Sequence, residues 1–412
     1  MGVGIFIVRG LHWFEMEMGL KSSLNPDSAR AVLGALASSI FTLVVFVSSA
    51  LLVVLQIASS QLSPRIIGIV FRDPVTKLSI TAFVFTFTVT LATLARIDES
   101  APMLTTQLAN FSCIGSLVLF LYMIDHLGKA LRPSGVLRRI ALMGKETIET
   151  VYPELLVDAS GIVRESRDVK SMSIEHPFMV NSHRDGVFLG FDRAGLRTFA
   201  NTAKCTIELV PQLGDFVASG SPLFRLTEQA NAYLAKRMRN SVFLDQEREL
   251  ENDPMLAFRI LVDIAAKALS PGINDPTTAV LALDQIQNLL EAAGQRNLSE
   301  GQFENERGLF QLVYRTPNWE DFVRLSVTEI RLFGGDSIQV VRRLRAMLEY
   351  LIHMLPEGRR AVLQRELSLL HKKADRSFSD PDDRAMAEVS DMQGVGGATV
   401  DKLPDVSTAR LG

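Results

Sequence analysis

Cysteine is scarce in this chain, with two in 412 residues, and histidine appears only six times. Cys113 lies in an uncharged stretch and Cys205 in a charged one, so the two are expected in different phases, without a disulfide between them. No Cys or His set has zinc-ligand spacing. Paired carboxylates, a nucleophile beside a positioned base and a glycine-rich phosphate loop are all missing, so neither enzymatic activity nor a cofactor is expected. The formal net charge of −3 gives no global basic field, which excludes nucleic acid as the expected partner. The most telling absence is of charge itself. Asp, Glu, Lys and Arg are missing from the 34 residues between Arg30 and Arg65, the 18 between Lys77 and Arg96, and the 25 between Glu99 and Asp125. A helix needs roughly 20 apolar residues to cross the hydrocarbon core of a bilayer. These runs predict a transmembrane domain over 31–125, with helices at about 33–58, 77–96 and 102–124. The lipid bilayer is therefore the first expected partner.

Residues 1–30 precede that domain. Gly4-Ile5-Phe6-Ile7-Val8 is too short to span, and Arg9 follows at once. No basic segment precedes an apolar core, so the stretch is not a signal peptide. It reads either as an interfacial segment anchored by Trp13 or as the stub of a first spanning helix whose start lies upstream; the stub is preferred. Arg65, Arg72 and Lys77 follow the first span, and Lys129, Arg132, Arg138, Arg139 and Lys145 follow the third. Excess Lys and Arg marks the cytoplasmic side, so everything after Asp125 is expected in the cytoplasm, beginning with a basic juxtamembrane linker over 126–149. Residues 65–77 read as a short amphipathic connector.

The first span carries Ser38, Thr42, Ser49, Gln56 and Ser60 at a helical period. Helix packing is the preferred meaning of this stripe, because Ser and Thr hydrogen-bond across helices or to their own carbonyls. The sharper meaning is a face lining a water-filled path. Thr86, Thr90 and Thr93 share a face of the second span, and Asn110, Ser112 and Ser116 punctuate the third. No ionisable residue sits in mid-span, which argues against a proton-coupled pump.

Beyond the spans the pattern changes. A small β module is expected over 150–230, from Ser160–Val163, Gly186–Leu189 and the alternating Cys205–Leu209. Gly214 and Gly220 permit tight turns, with Val217 and Leu223 pointing into a small barrel. Gly214-Asp-Phe-Val217 through Leu223 resembles the turn of biotinyl- and lipoyl-type β-barrels. Lys204 sits beside a strand, not on an exposed hairpin, so the resemblance implies shape without carrier chemistry. His176 and His183 are expected to be ordinary surface or turn histidines.

Residues 231–392 read as a helical module, followed by a disordered tail over 393–412. Asp253 caps a helix that Pro254 begins, and Asp275 and Pro276 repeat the device. Asp263 lies four residues from both Arg259 and Lys267, placing i,i+4 pairs within reach. The corner between these helices, with Asp263, Ser270, Asn274, Asp275, Thr277 and Thr278 as its candidate residues, is expected to be a rigid αα turn. Its alternative use is a contact for an ion, a small ligand or a protein partner. Further helices run over Trp319–Phe333, Ser337–Leu355 and 357–373, and Asp380-Pro381 caps a last one. Arg342, Arg343 and Arg345 are expected on a solvated face.

The segment from Leu261-Val-Asp263 through Ser270-Pro-Gly-Ile-Asn-Asp-Pro-Thr-Thr278 resembles an uncharacterised bacterial family of predicted membrane proteins, domain of unknown function 2254. Asp27-Ser-Ala-Arg30, Leu55–Arg65, Ile124-Asp-His126 and Gly214-Asp-Phe-Val217 follow the family pattern in the same order. The resemblance implies a multi-pass α-helical membrane protein of the bacterial cytoplasmic (inner) membrane with a cytoplasmic α+β region. Members usually show four spans, which agrees with the N-terminal stub. It implies no activity. The leading expectation is a homo-oligomeric, channel-like protein whose cytoplasmic part gates or senses. The rival is a membrane-tethered binding or scaffold protein using the Asn274–Thr278 corner.

Overall fold

The computed structural model describes residues 2–18, 25–61, 74–97, 102–130, 132–156, 177–227, 232–250, 252–298, 302–304 and 310–397. The expected connector over 65–77 falls mostly outside them, as do the Ser160–Val163 strand and His176. The chain divides into two compact units, Met1–Gly135 and Val136–Gly412.

The first unit holds α1 (Gly2–Met18), α2 (Pro26–Gln61), α3 (Pro74–Leu94) and α4 (Met103–Ala130). Among the described residues three helices are long and apolar enough to cross a membrane, over Pro26–Ile57, Pro74–Leu94 and Met103–Lys129. The N-terminal segment is helical. It does not stop at Arg9 but continues as a helix of 17 residues. Arg9 is exposed, while Val8 is fully buried in a cluster with Leu33, Val89 and Ala109. A Cβ on Gly4 would sit 3.4 Å from the Thr88 Cγ2 atom, so the missing side chain lets α1 approach α3 closely. Glu15 is buried near the other end of α1. Its Oε1 accepts the backbone N–H of Leu104, one of the first-turn donors of α4 that has no partner within its own helix. The threonine face of α3 packs inward: Thr86, Thr90 and Thr93 are buried, and Thr86 Oγ1 lies 2.8 Å from Ser116 Oγ on α4.

The second unit begins with a helix where a linker was expected. α5 (Pro133–Val151) is amphipathic, and Leu137, Ile140, Ala141, Gly144 and Ile148 are buried. Its apolar residues recur at three- and four-residue intervals, which the five basic residues between 129 and 145 mask in a composition reading. A Cβ on Gly144 would lie 2.5 Å from Ala257 Cβ, so α5 presses against a neighbouring helix at that point.

The β part comprises β1 (Phe178–Asn181), β2 (Gly186–Phe191), β3 (Ile207–Leu209), β4 (Phe216–Val217), β5 (Pro222–Leu226), β6 (Val242–Asp245), β7 (Gln302–Glu304) and β8 (Phe310–Val313). Between them lie α6 (Arg193–Ala203) and α7 (Ala232–Asn240). The expected barrel does not close among the described residues. The strands form a five-stranded sheet, β1-β5-β3-β8-β7, and a three-stranded one, β4-β2-β6. The reason lies in the Gly214–Leu223 turn: β4 pairs with β2 while β5 pairs with β1 and β3, so the chain changes sheet between Val217 and Pro222. Gly214 (φ 86) and Gly220 (φ 89) hold the left-handed conformations that this route requires. Val217 and Leu223 are buried in one shared core with Phe188, Ile207 and Leu226. β8, from the stretch read as helical, runs parallel to β3 with Ile207 opposite Leu312.

The helical part comprises α8 (Pro254–Ala268), α9 (Pro276–Gly294), α10 (Trp319–Gly334), α11 (Ile338–Met354), α12 (Arg360–Ser377) and α13 (Pro381–Ala387). Phe258, Leu283, Ile286, Phe322, Ile330, Leu344 and Leu348 are fully buried, each worth about 1.5–3 kcal/mol relative to exposure. The Phe258 and Phe322 rings meet edge to face at 5.3 Å.

Two expectations about the C-terminal end are corrected together. Arg342, Arg343 and Arg345 are buried, not solvated. α13 and the segment after it cover them, and residues 393–397 of the expected disordered tail belong to that cover. Arg342 Nε donates to Val389 O at 3.0 Å and its Nη1 to Gly396 O at 2.9 Å. Arg345 Nε donates to Ala387 O. Arg343 turns the other way, to Asp284 Oδ1 at 2.8 Å and Gln287 Oε1 at 2.7 Å on α9. Planar guanidinium groups bury well when such acceptors surround them.

Candidate functional site

The polar stripe of α2 is on the outside. Ser38, Thr42, Ser49 and Gln56 are exposed in the single chain, and the side chain of Ser60 lies outside the described residues. At ~100° per residue all five fall within about 40° of arc. The buried residues of α2, Ala29, Leu33, Ala37, Ile40 and Val47, lie on the opposite side. The stripe touches no other helix through a hydrogen bond among the described residues. Thr42 Oγ1 donates to Ser38 O at 2.9 Å, and the neighbouring Ser39 and Ser48 donate likewise to Ala35 O and Val44 O. These back-bonds satisfy the hydroxyl donors of Thr42, Ser39 and Ser48 within the helix. Gln56 has no such route and forms no side-chain hydrogen bond among the described residues.

The α8–α9 corner brings its residues together as caps. Asp275 Oδ1 accepts Thr278 N–H at 3.1 Å at the corner, and at the far end of α8 Asp253 Oδ1 likewise accepts Met255 N–H at 3.0 Å. Thr278 Oγ1 donates to the second Asp275 oxygen at 2.5 Å. Both carboxylate oxygens of Asp275 therefore serve the first turn of α9. Burial pushes the Asp253 carboxyl up from its ordinary value, against the opposing pull of Arg248 and the backbone donors. Asn274 adopts φ 49, a left-handed conformation that Asn tolerates. Its N–H and that of Ile273 both donate to Ser270 O, and Ser270 Oγ donates to Lys267 O. Asn274 and Thr277 are exposed, and Ile273 beside them is 40% exposed.

Asp263 belongs to a different constellation. It pairs with Arg259, which also reaches Glu329 on α10 through two bonds of 2.6 and 2.8 Å. The hydrogen bonds from Arg259 hold the Glu329 carboxyl below its ordinary value and keep Arg259 charged at any accessible pH. This triad clamps α8 to α10 and is separate from the corner.

Features that reading along the chain missed lie elsewhere. Arg138, Leu142 and Lys145, together with residues of α9, line a groove of about 340 Å³. Their i, i+4, i+7 spacing was the available signal. His371, Asp375 and Glu388 gather on the surface, where His371 Nε2 faces Asp375 at 3.5 Å and its Nδ1 faces Glu388 at 3.4 Å. The two ring nitrogens face different carboxylates. His183 is exposed.

The chain is 26% identical over 377 residues to the uncharacterized protein MT1328 of Mycobacterium tuberculosis, covering 88% of this chain and 71% of that one. It is 25% identical over the same length to the uncharacterized protein Mb1321c of Mycobacterium bovis, with the same coverage. No solved structure matches it. Residues 2–350, from the first turn of α1 into α11, match one family throughout, and the chain belongs to that family, described as predicted membrane protein (DUF2254).

Proposed function

We propose that this membrane protein works as a homo-oligomer in the bacterial cytoplasmic membrane, multi-pass and with its C-terminal region in the cytoplasm. Its role is channel-like, without enzymatic activity, and the cytoplasmic α+β region gates or senses. The outward polar face of α2 carries this reading. In a lone chain within a bilayer, Ser38, Thr42 and Ser49 would face hydrocarbon, and the Gln56 amide would lose its water. A second copy presenting the same face removes that cost, because small and hydroxyl-bearing residues let helices approach and share hydrogen bonds. Several copies arranged this way would surround a polar path. The test combines cross-linking with flux. A Ser49→Cys variant in a Cys113→Ser background should form an inter-chain disulfide in membranes, since such a bond needs Cα atoms within about 7 Å. Liposomes holding the intact protein should pass ions under voltage, tension or osmotic shift. Absence of both, from well-folded protein, defeats the proposal.

The scaffold reading is favoured by the exposed Ile273, Asn274 and Thr277 at the α8–α9 corner. It predicts that an Asn274→Ala, Thr277→Ala double variant, which spares the Asp275 cap, loses partner capture. Capture that survives both changes removes this alternative.

A further inference from the structure

The groove between α5 and α9 is a second place where the chain presents unfinished chemistry. Its volume is about 340 Å³, and it lies wholly within the second unit. One wall is the exposed face of α5, with Arg138 and Lys145 two turns apart, about 10 Å along the axis. Leu142 stands between them and is 59% exposed. The facing wall of α9 offers the amides of Gln285 and Asn288.

Each acidic group in the groove already has a partner. Glu149 Oε1 accepts from Arg296 Nη2 at 3.3 Å, and Glu291 Oε2 accepts the Tyr350 hydroxyl at 3.2 Å. Arg296 is further committed to the backbone oxygens of Tyr152 and Pro153. Arg138 and Lys145 have no anionic partner among the described residues. Two free cations, amide donors opposite them and an apolar residue between them match a phosphate that carries an apolar substituent. In sequence, Arg138 follows the end of the apolar helix α4 by eight residues.

We infer that the α5–α9 groove binds the phosphate headgroup of an anionic phospholipid. Arg138 and Lys145 take the phosphodiester oxygens, Asn288 and Gln285 donate from the opposite wall, and Leu142 meets the glyceryl and acyl portion. The same phosphate chemistry would suit a soluble phosphodiester, and the exposed Leu142 between the cations selects the lipid.

The experiment uses the full chain in a neutral detergent, with binding read as thermal stabilisation on titration. The probes are phosphatidylglycerol, phosphatidylcholine, glycerophosphoglycerol and inorganic phosphate. Phosphatidylglycerol should stabilise the protein, and the other three should not. Arg138→Gln with Lys145→Gln should weaken that binding roughly thirtyfold, about fivefold per cation. An Arg132→Gln, Arg139→Gln variant removes the same charge outside the groove and should keep most of the affinity. Asn288→Trp, at an exposed position on the opposite wall, should block the groove without touching the cations. Equal loss in the two charge variants would assign the effect to a diffuse basic field and overturn the site. Undiminished binding in Asn288→Trp, or no stabilisation by phosphatidylglycerol, would overturn it too. Stabilisation by glycerophosphoglycerol or phosphate equal to that by lipid would overturn the lipid assignment and make the occupant a soluble phosphate compound.

Discussion

Asp391→Ala should release the C-terminal cover of α11. Asp391 is fully buried, and its carboxylate organises the turn that follows it. One oxygen accepts the N–H groups of Gln393 and Gly394, both at 3.0 Å, and the other accepts Gly396 N–H at 2.6 Å. That turn positions Gly396 O to receive Arg342 Nη1. Hydrogen bonds to a charged acceptor contribute about 1.5–3 kcal/mol each. The sum overstates the loss, because once the segment lifts, its freed N–H groups and the Arg342 guanidinium regain water. The expected cost is the difference in local opening, about 3 kcal/mol, or roughly a hundredfold faster amide exchange over 389–397. Asp391→Asn keeps one acceptor oxygen but turns an NH₂ toward a backbone donor, so it should fall between, at roughly tenfold. Hydrogen–deuterium exchange with peptide-level mass spectrometry on the full chain reads this directly. Exchange over 389–397 that is unchanged in Asp391→Ala would refute the account of how the arginines are buried.

Other perturbations follow from the same packing. Asp275→Ala removes both acceptors at the start of α9 and should cost about 1 kcal/mol, read as a lower denaturation midpoint. Gly144→Ala forces a Cβ against Ala257 and should destabilise by about 1–3 kcal/mol despite the better helix propensity of alanine, whereas Gly272→Ala, with open space around it, should leave the melting temperature unchanged. Glu329 has a depressed folded-state pKa, so its contribution is present above the ordinary carboxylate range and is lost as pH falls through the folded value. Because Glu329 is 39% exposed, Glu329→Gln should cost only about 0.5 kcal/mol at neutral pH, and its melting-temperature gap from the parent should close between roughly pH 5 and pH 3. A gap that stays constant across that interval would mean the Arg259 pair contributes nothing.

Reading along the chain located what depends on neighbours in sequence. Long uncharged runs marked the apolar helices, since a single charge inside one is costly wherever the helix goes. Asp253, Asp275 and Asp380, each followed by proline, marked helix starts, because a cap acts within one turn. Gly214 and Gly220 marked turns, because a positive φ is a property of one residue. Of the site residues, the capping roles of Asp275 and Thr278 and the Asp263–Arg259 pair were within reach for the same reason.

What tertiary structure alone decided involves partners far apart in sequence. Periodicity placed Arg342, Arg343 and Arg345 off the apolar stripe, yet nothing local says that residues 386–396 come back to accept from two of them. The parallel pairing of Ile207 with Leu312 joins strands separated by three helices and four strands. The burial of Val8 depends on α3 and α4, which start more than sixty residues later. Short-range preferences fix where the helices and turns of this protein fall, because backbone geometry and capping act over a few residues. Which polar groups end up inside, and which cations stay free to bind something, is settled only when distant segments supply or withhold their acceptors.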